Sequence, residues 1–201
     1  MNIVIFGPPG AGKGTQSKFI AKKYNLYQLS TGDLLRDEIK NKSELGTKIS
    51  SIINSGGLVS DEIVGNLIEK FVSRNEYKNK IIFDGYPRTL TQAKNLDNLL
   101  NSYGQKINVV LKLTVSLETI KKRISERQTQ ENRTDDSEDI AIKRFKTFDE
   151  STKPVLEYYK KQKLIKEVNG EQKIEEINKE IGDIIDLIEG WLWIITPYKY
   201  A

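Results

Sequence analysis

A glycine-rich loop near the start of the chain has the residue types and spacing of a phosphate-binding site. Residues 7–15 read Gly-Pro-Pro-Gly-Ala-Gly-Lys-Gly-Thr, which contains the spacing G-x-x-x-x-G-K. Glycines let successive backbone N–H groups face one anion, and a following helix adds its N-terminal amides and the positive end of its dipole. Lys13 adds a full charge that can reach the outer phosphates of a nucleotide. The loop therefore predicts nucleotide binding by Gly10, Ala11, Gly12, Lys13, Gly14 and Thr15.

The residue after the lysine departs from the usual pattern. Gly14 stands where such loops commonly have Ser or Thr, and the hydroxyl comes one residue later, at Thr15. Direct binding of Mg²⁺ by a hydroxyl immediately after the lysine is therefore excluded. We expect a metal ion held through water, with Thr15 as a candidate ligand, and the departure argues against a generic GTPase.

A second group of chemically useful residues follows the apolar run that ends at residue 83. Asp84 comes at the end of a predicted buried strand, where a carboxylate can orient Mg²⁺ and its water molecules. Gly85 lets a ligand approach the backbone, and Arg88 can hold a phosphate with two parallel hydrogen bonds. Gln92 shares a helix face with Arg88, and its amide suits the edge of a nucleobase.

A third group lies in the segment 30–36, Ser-Thr-Gly-Asp-Leu-Leu-Arg. Thr31 and Asp33 stand at a predicted helix start, and Arg36 follows about one turn later. Taken alone, this pattern is explained by a helix cap and a surface arginine. Beside the two groups above, it indicates a second phosphate-binding position.

The missing residue types exclude several kinds of catalysis. The 201 residues include no Cys and no His. There is consequently no disulfide, no Cys nucleophile, no Ser-His-Asp triad and no zinc site built from Cys or His. Any catalysis must use carboxylates, Lys, Arg, hydroxyls, backbone amides or a hard metal ion, which suffices for phosphoryl transfer because that reaction depends on positioning and electrostatic stabilisation.

The arginines are few and fall on these motifs. The chain has 32 Lys and Arg against 28 Asp and Glu, a net charge of +4, but only seven of the 32 are Arg. Arg36 and Arg88 lie on the motifs above, and the family resemblance given below implies motif positions for Arg123, Arg127, Arg133 and Arg144, which leaves only Arg74. A planar guanidinium is suited to phosphate in a way that Lys is not. The basic excess is smaller than the charge of Lys13 and these six arginines, which indicates one phosphate-binding cleft. With no basic run carrying interleaved aromatic residues, we expect no nucleic-acid partner.

The elements that must position these residues alternate between strand and helix. Apolar runs predict five strands, at 2–6, 26–30, 80–84, 107–113 and 164–168. Helical patterns lie between them, and the polar residues 128–136 look turn-like. A long helix that follows, to about Lys163, is expected to bend near Pro154, and a last helix is expected at 173–189. This alternation predicts an α/β fold with an open five-stranded parallel sheet flanked by helices.

Taken in order, these motifs resemble adenylate kinase, a family with the P-loop NTPase fold. The matching segments over residues 1–189 are the phosphate loop, STGDLLR (30–36), GGLVSDEIV (56–64), FDGYPRT with Gln92 and Ala93 (83–93), and the arginine series that ends in RTDD (133–136) and Arg144. The resemblance implies a transferase, a kinase of nucleotide biosynthesis, that moves the γ-phosphoryl group of ATP reversibly to AMP, giving two ADP, with Mg²⁺ and without zinc.

The resemblance also implies roles for individual residues. It implies AMP binding by Thr31, Arg36, Gly57, Leu58, Val59, Gly85, Arg88, Gln92, Arg133 and Arg144. It implies ATP binding by the phosphate loop together with Arg123 and Arg127, and catalysis by Lys13, Arg88, Arg123, Arg133 and Arg144. Asp84 would order the water shell of the metal. Asp135 and Asp136 would hold lid arginines, although both could equally cap the helix that follows.

Domain boundaries follow from the same resemblance. The core would comprise residues 1–29, 60–126 and 137–189, with a helical lobe for the nucleoside monophosphate at 30–59. Only five residues, QTQEN, separate Arg127 from Arg133, so residues 127–136 would form the short type of lid. Lid closure would keep water away from the γ-phosphate.

Three alternatives remain at this point. A UMP/CMP kinase shares the phosphate loop and the arginines, although Gln92, Thr31 and residues 58–61 (LVSD) favour adenine. A P-loop switch that binds ATP without transferring its phosphate would lack a use for the acceptor-side residues. An RNA-binding protein is suggested only by the pI near 9.

The two ends of the chain give further expectations. The N-terminus has no basic segment ahead of its apolar run, so we expect no signal peptide and a cytoplasmic location. No apolar stretch approaches the roughly 18 residues that cross a bilayer, so we expect no membrane partner. We also expect the chain to be a monomer. Residues 190–201 contain both tryptophans and no acidic residue; they are expected to fold back on the domain, and an apolar patch for self-association is the alternative.

Overall fold

The structure, a computed structural model, describes residues 1–131 and 138–195 of the chain, and one or more helices separate each strand from the next. The strands are β1 (Asn2–Phe6), β2 (Tyr27–Ser30), β3 (Ile81–Asp84), β4 (Ile107–Thr114) and β5 (Ile165–Asn169). The helices are α1 (Lys13–Tyr24), α2 (Thr31–Lys40), α3 (Glu44–Asn54), α4 (Asp61–Val72), α5 (Leu90–Ser102), α6 (Leu117–Glu131), α7 (Glu138–Lys161) and α8 (Ile174–Ile195).

The five strands form one parallel sheet in the order β2-β3-β1-β4-β5. Between successive strands, helical connections return the chain to the other end of the sheet, as parallel pairing requires. The predicted α/β fold class, a five-stranded parallel sheet flanked by helices, is confirmed.

The sheet is apolar on both faces because helices cover both. Within β1, Ile3 and Ile5 belong to one buried cluster, and Val4 and Phe6 belong to the other. The first cluster includes residues of α1 and α8, and the second includes residues of α5 and α7. Strands buried on both faces read as continuous apolar runs, which is why β1 and β3 were recognisable in the sequence.

Helices α2 and α3 pack closely against each other beside the carboxyl end of β2. Ser30 caps α2 by accepting a hydrogen bond from the Asp33 amide, and Ser43 caps α3 in the same way from the Gly46 amide. A Cβ atom at Gly46 would lie 2.1 Å from the backbone oxygen of Glu38, so only glycine lets α3 approach α2 this closely. The two helices lie within the predicted lobe at 30–59, whose separation from the core stays a prediction.

Two helices are longer than expected. Helix α6 continues to Glu131, so the prediction of a turn was wrong for residues 128–131; glutamine and glutamate are good helix formers, and polarity alone does not end a helix. Helix α8 continues past Gly190 to Ile195, because Gly190 does not adopt the positive φ that commonly ends a helix at glycine. Helix α7 runs through Pro154 without ending there. Among the described helices, none has the length and apolar character that crossing a bilayer requires.

Candidate functional site

The phosphate loop connects β1 to α1 at the carboxyl end of the sheet. Gly10 and Gly12 adopt φ angles of 81° and 90°, which L-residues other than glycine rarely adopt. A Cβ at Gly10 would lie 3.0 Å from the side chain of Ile124 in α6, whereas a Cβ at Gly12 would meet no atom within 4 Å. The loop is therefore packed against α6 on one side and open at the start of α1, where the free helical amides lie.

Lys13 is half-buried at the first position of α1, and its amine lies against the loop. The Nζ atom donates hydrogen bonds to the backbone oxygens of Gly7, at 2.7 Å, and Pro8, at 3.0 Å. Burial lowers the pKa of Lys13 to about 8; Asp84 opposes this shift, and nearby arginines add to it. A bound phosphate would favour the charged form of the amine, so this lysine is suited to an anionic ligand.

Asp84 ends β3, between the phosphate loop and the end of β2. Its side chain is almost fully buried, and its Oδ2 atom accepts a hydrogen bond from Gln28 Nε2 at 3.0 Å. Burial raises the pKa of this carboxyl above its ordinary value, whereas the charge of Lys13 lowers it. A Cβ at Gly14 would lie 3.8 Å from Oδ2, so the absence of a side chain at position 14 leaves space between Asp84 and the start of α1.

Gly85 is the centre of the acceptor-side residues. Its backbone oxygen accepts hydrogen bonds from Thr31 Oγ1 at 3.1 Å and from Arg88 Nε at 2.8 Å. Its φ of 80° favours glycine, and a Cβ there would lie 3.1 Å from Thr31 Oγ1 and 3.2 Å from Arg88 Nη2. Gly85 thus holds two predicted phosphate-binding side chains, those of Thr31 and Arg88, in one arrangement near the ends of β2 and β3.

Arg36 lies one turn into α2 and faces the same region. Its Nη2 atom donates to Asp33 Oδ1 at 2.5 Å, and both side chains are partly exposed. A Cβ at Gly32 would lie 3.0 Å from Nη2. Glycine at position 32 therefore lets the guanidinium group lie along the beginning of the helix.

Gln92 is buried, and its amide is held at both ends. Its Oε1 atom accepts from the backbone N–H of Arg88 at 2.7 Å, and its Nε2 atom donates to Asp61 Oδ1 at 2.7 Å. The structure places the predicted acceptor residues around one cavity, whose lining includes Thr31, Arg36, Gly57, Leu58, Val59, Gly85, Arg88, Gln92 and Arg144.

A larger cleft of about 460 Å³ lies beside this cavity, on the side of the phosphate loop. Arg123 reaches it from α6 and donates to the backbone oxygen of Gly170 at 2.9 Å. The cleft brings together the predicted ATP residues and the carboxylate predicted to order the metal's water shell, with a lining that includes Gly10, Ala11, Gly12, Lys13, Gly14, Thr15, Asp84, Arg123 and Arg127. Three arginines, Arg36, Arg88 and Arg144, line both the cleft and the acceptor cavity.

Some predicted residues lie outside the described part of the chain, and some residues of the site were not predicted. Arg133, Asp135 and Asp136 fall in residues 132–137, which the structure does not describe. Gln28 and Asp61 were missed as partners of Asp84 and Gln92. Each partner is distant in the sequence, so no local spacing could have indicated it. Within residues 1–131 and 138–195, no three His, Cys, Asp or Glu side chains cluster so as to hold a metal ion.

Comparisons with known proteins found a matching family and several similar relatives. The family model described as adenylate kinase matches residues 5–164. The adenylate kinase of Pelagibacter ubique strain HTCC1062 is 44% identical, over 92% of this chain and 99% of the relative. Those of Fusobacterium nucleatum and Caulobacter sp. strain K31 are 38% and 40% identical, over 92% and 94% of this chain and 98% and 100% of the relatives.

Proposed function

The chain belongs to the adenylate kinase family, and from the geometry of its cleft we propose which of its side chains carry out the family reaction. That reaction is the reversible transfer of the γ-phosphoryl group of ATP to AMP, which gives two ADP. The transfer needs no strong base because the attacking group is already an anionic phosphate. It needs charge and position, which arginine, lysine and backbone amides supply.

We place ATP in the larger cleft, with its outer phosphates at the phosphate loop. The open amides at Gly12 and the start of α1 would bind the anionic oxygens, and Lys13 would exchange its two backbone partners for a phosphate. Arg123 and Arg127 line the same cleft and would lie beside ATP.

We place AMP in the acceptor cavity. Thr31, Arg36 and Arg88 would bind its phosphate, because Thr31 and Arg88 both donate to the Gly85 oxygen and Arg36 lines the same cavity. The backbone at residues 57–59 would border adenine, and Gln92 would contact the edge of the base.

The observation that supports this assignment most strongly is that three arginines, Arg36, Arg88 and Arg144, line both spaces. A phosphoryl group passing from one nucleotide to the other must cross the junction between them. Guanidinium groups there would stabilise the charge that spreads over the transferred oxygens in the transition state. The roles of Arg133, Asp135 and Asp136 stay predictions from the family resemblance.

Adenylate kinases use Mg²⁺ with ATP, and the residues around Asp84 suit such an ion. A buried carboxylate with one oxygen towards the space at Gly14 matches the preference of Mg²⁺ for oxygen ligands and retained water. Asp84 would hold the ion through water, Gln28 would orient the carboxylate, and Thr15 is a further candidate ligand. When bound, the ion neutralises negative charge on the phosphates of ATP. The cytoplasmic location and the monomeric state stay predictions.

The experiment that tests this proposal measures ADP formation from ATP with AMP, UMP, CMP and GMP as acceptors. We expect rapid turnover with AMP and little ATP hydrolysis without an acceptor. Faster turnover with UMP or CMP, or hydrolysis that does not depend on AMP, would overturn the assignment.

A paired substitution tests the junction residue. Arg88→Lys keeps a charge but loses the two-pronged geometry, so kcat/KM for AMP should fall at least roughly 100-fold. Arg74→Lys is the matched control, because Arg74 lies over the rings of Phe71 and Tyr77 and lines neither space. Equal kinetics for the two variants would contradict the role of Arg88.

A further inference from the structure

We propose that Asp61 is a positioning residue, which fixes the side-chain amide of Gln92 in one orientation and so sets the preference of the acceptor cavity for an adenine base. The proposal rests on the placement of AMP given above. It concerns a carboxylate that lies on a different helix from Gln92 and 31 residues away in the sequence.

Both carboxylate oxygens of Asp61 are directed at α5. Oδ1 accepts from Gln92 Nε2 at 2.7 Å, and Oδ2 accepts from the Thr89 hydroxyl at 3.1 Å. The Thr89 hydroxyl oxygen in turn accepts from the Gln92 backbone N–H at 3.1 Å. The carboxylate is therefore bonded to the side chain it would orient and to the residue that caps the helix carrying that side chain.

Asp61 is not needed to cap its own helix. It is the first residue of α4, and the capping hydrogen bond there belongs to Ser60, which accepts from the Ile63 amide. A carboxylate in a first helical turn gains from the helix dipole wherever it points. The direction of the Asp61 side chain towards Gln92 thus has an explanation beyond helix stability.

The two partners of the Gln92 amide allow only one of its two orientations. An amide group has nearly the same shape when its oxygen and nitrogen are exchanged. The backbone N–H of Arg88 can only donate, so it requires Oε1; the ionised Asp61 carboxylate can only accept, so it requires Nε2. Because Gln92 is only 3% exposed, water cannot replace either partner without a large cost.

This orientation determines what remains for a ligand. Oε1 keeps one lone pair, and Nε2 keeps one hydrogen, so the amide presents an acceptor and a donor in a fixed order. The 6-amino group of adenine donates, and the neighbouring ring nitrogens N1 and N7 accept, which matches that order. Hypoxanthine has an accepting O6 and a donating N1–H, so it matches the exchanged orientation. A site discriminates strongly between two ligands when the wrong ligand leaves the buried polar groups of the site without hydrogen-bond partners.

The test compares Asp61→Asn with the parent chain, using AMP and IMP, which differ in the base only at this edge. The neutral amide introduced by this substitution can both donate and accept, so the constraint on Gln92 is relaxed while the shape is kept. We expect KM for AMP to rise about tenfold with kcat nearly unchanged, and the ratio of the dissociation constants for IMP and AMP to fall at least roughly tenfold. KM for MgATP should stay at the parent value.

Glu62→Gln is the matched control. Glu62 is exposed in the same first turn of α4, so this variant removes the same charge from the same helix end without touching Gln92. It should keep the parent preference for AMP. Asp61→Glu, which keeps the charge and displaces the carboxylate by one methylene, gives a second variant should Asp61→Asn fold poorly, and it should lose part of the same preference.

The outcomes separate this inference from the proposed function. If the parent chain does not phosphorylate AMP, the proposed function itself fails. If the parent does so and both Asp61 variants keep its preference for AMP over IMP, the positioning role is overturned. A loss of the same size for AMP and IMP, or one that Glu62→Gln reproduces, indicates a purely structural role and also overturns it.

Discussion

Replacement of Gly85 by alanine should disrupt the acceptor side far more than the addition of one methyl group suggests. The backbone there has φ +80°, a conformation that costs an L-residue about 1–2 kcal/mol. The new Cβ would lie 3.1 Å from Thr31 Oγ1 and 3.2 Å from Arg88 Nη2, so both side chains must move by a few tenths of an ångström.

That movement strains two hydrogen bonds. Thr31 Oγ1 and Arg88 Nε both donate to the Gly85 oxygen, and each such bond contributes about 1 kcal/mol to the free energy of unfolding. Together with the backbone term, Gly85→Ala should lower the free energy of unfolding by about 2–4 kcal/mol. Because the displaced groups are those assigned to the AMP phosphate, KM for AMP should rise at least roughly tenfold, and KM for MgATP should change little.

Gly104→Ala supplies the control for backbone strain. Gly104 has φ +64°, and a Cβ there would meet no atom within 4 Å. Gly104→Ala should lower the free energy of unfolding by only about 1–2 kcal/mol and leave the KM values for AMP and MgATP at the parent level. Urea unfolding and steady-state kinetics of the two variants are the measurements. Equal losses of stability in the two variants, with a parent KM for AMP in Gly85→Ala, would refute the assignment of Gly85 as the centre of the acceptor side.

Two further predictions concern the pKa shifts. The pKa of Lys13 is lowered to about 8, and a bound phosphate should raise it. ATP binding should therefore take up a proton, which calorimetry in two buffers would detect, and the affinity for ATP should fall above about pH 8. Lys13→Met should show neither effect. The hydrogen bond from Gln28 lowers the pKa of Asp84; Gln28→Met should therefore raise that pKa and move the acid limb of kcat/KM for MgATP to higher pH, and an unchanged limb would contradict the role of Gln28.

The sequence was sufficient to predict the fold because its strands are continuous apolar runs separated by helical periodicity. All five predicted strands are present with ends displaced by one residue at most, and their parallel order follows from the helices between them. Helix ends were less predictable. Residues 128–131 are polar but helical, and Gly190 lies inside α8, because neither polarity nor a single glycine ends a helix without a favourable alternative for the backbone.

The site was predictable where its residues are adjacent in the sequence. The phosphate loop, residues 84–88 and the segment 30–36 each combine a turn with the side chains that use it. The partners Gln28 and Asp61 act across 56 and 31 residues respectively, on Asp84 and Gln92. No spacing rule relates such pairs, since only the packed sheet and helices bring them together.

The role of Arg74 was also not predictable from the sequence. It is the one arginine that lies on no motif, and the structure places its guanidinium 5.4 Å from the ring centre of Phe71 and 6.0 Å from that of Tyr77. Phe71 and Tyr77 both pack against Tyr27 of β2. The planar cation thus covers aromatic rings beside the edge strand, a use of arginine that has nothing to do with phosphate.

The order of the strands explains why the phosphate loop, the acceptor cavity and Asp84 come together. Strand β3 lies between β1 and β2, and Asp84 at its end pairs with Ile5 on one side and Ser30 on the other. The loop after β1 therefore begins beside Asp84, and so does the helix after β2 that carries Thr31 and Arg36. In a parallel sheet all three strands end at the same edge, so the phosphate loop and the acceptor cavity both lie beside Asp84. The position of β3 between β1 and β2 thus places the two proposed nucleotide sites next to each other.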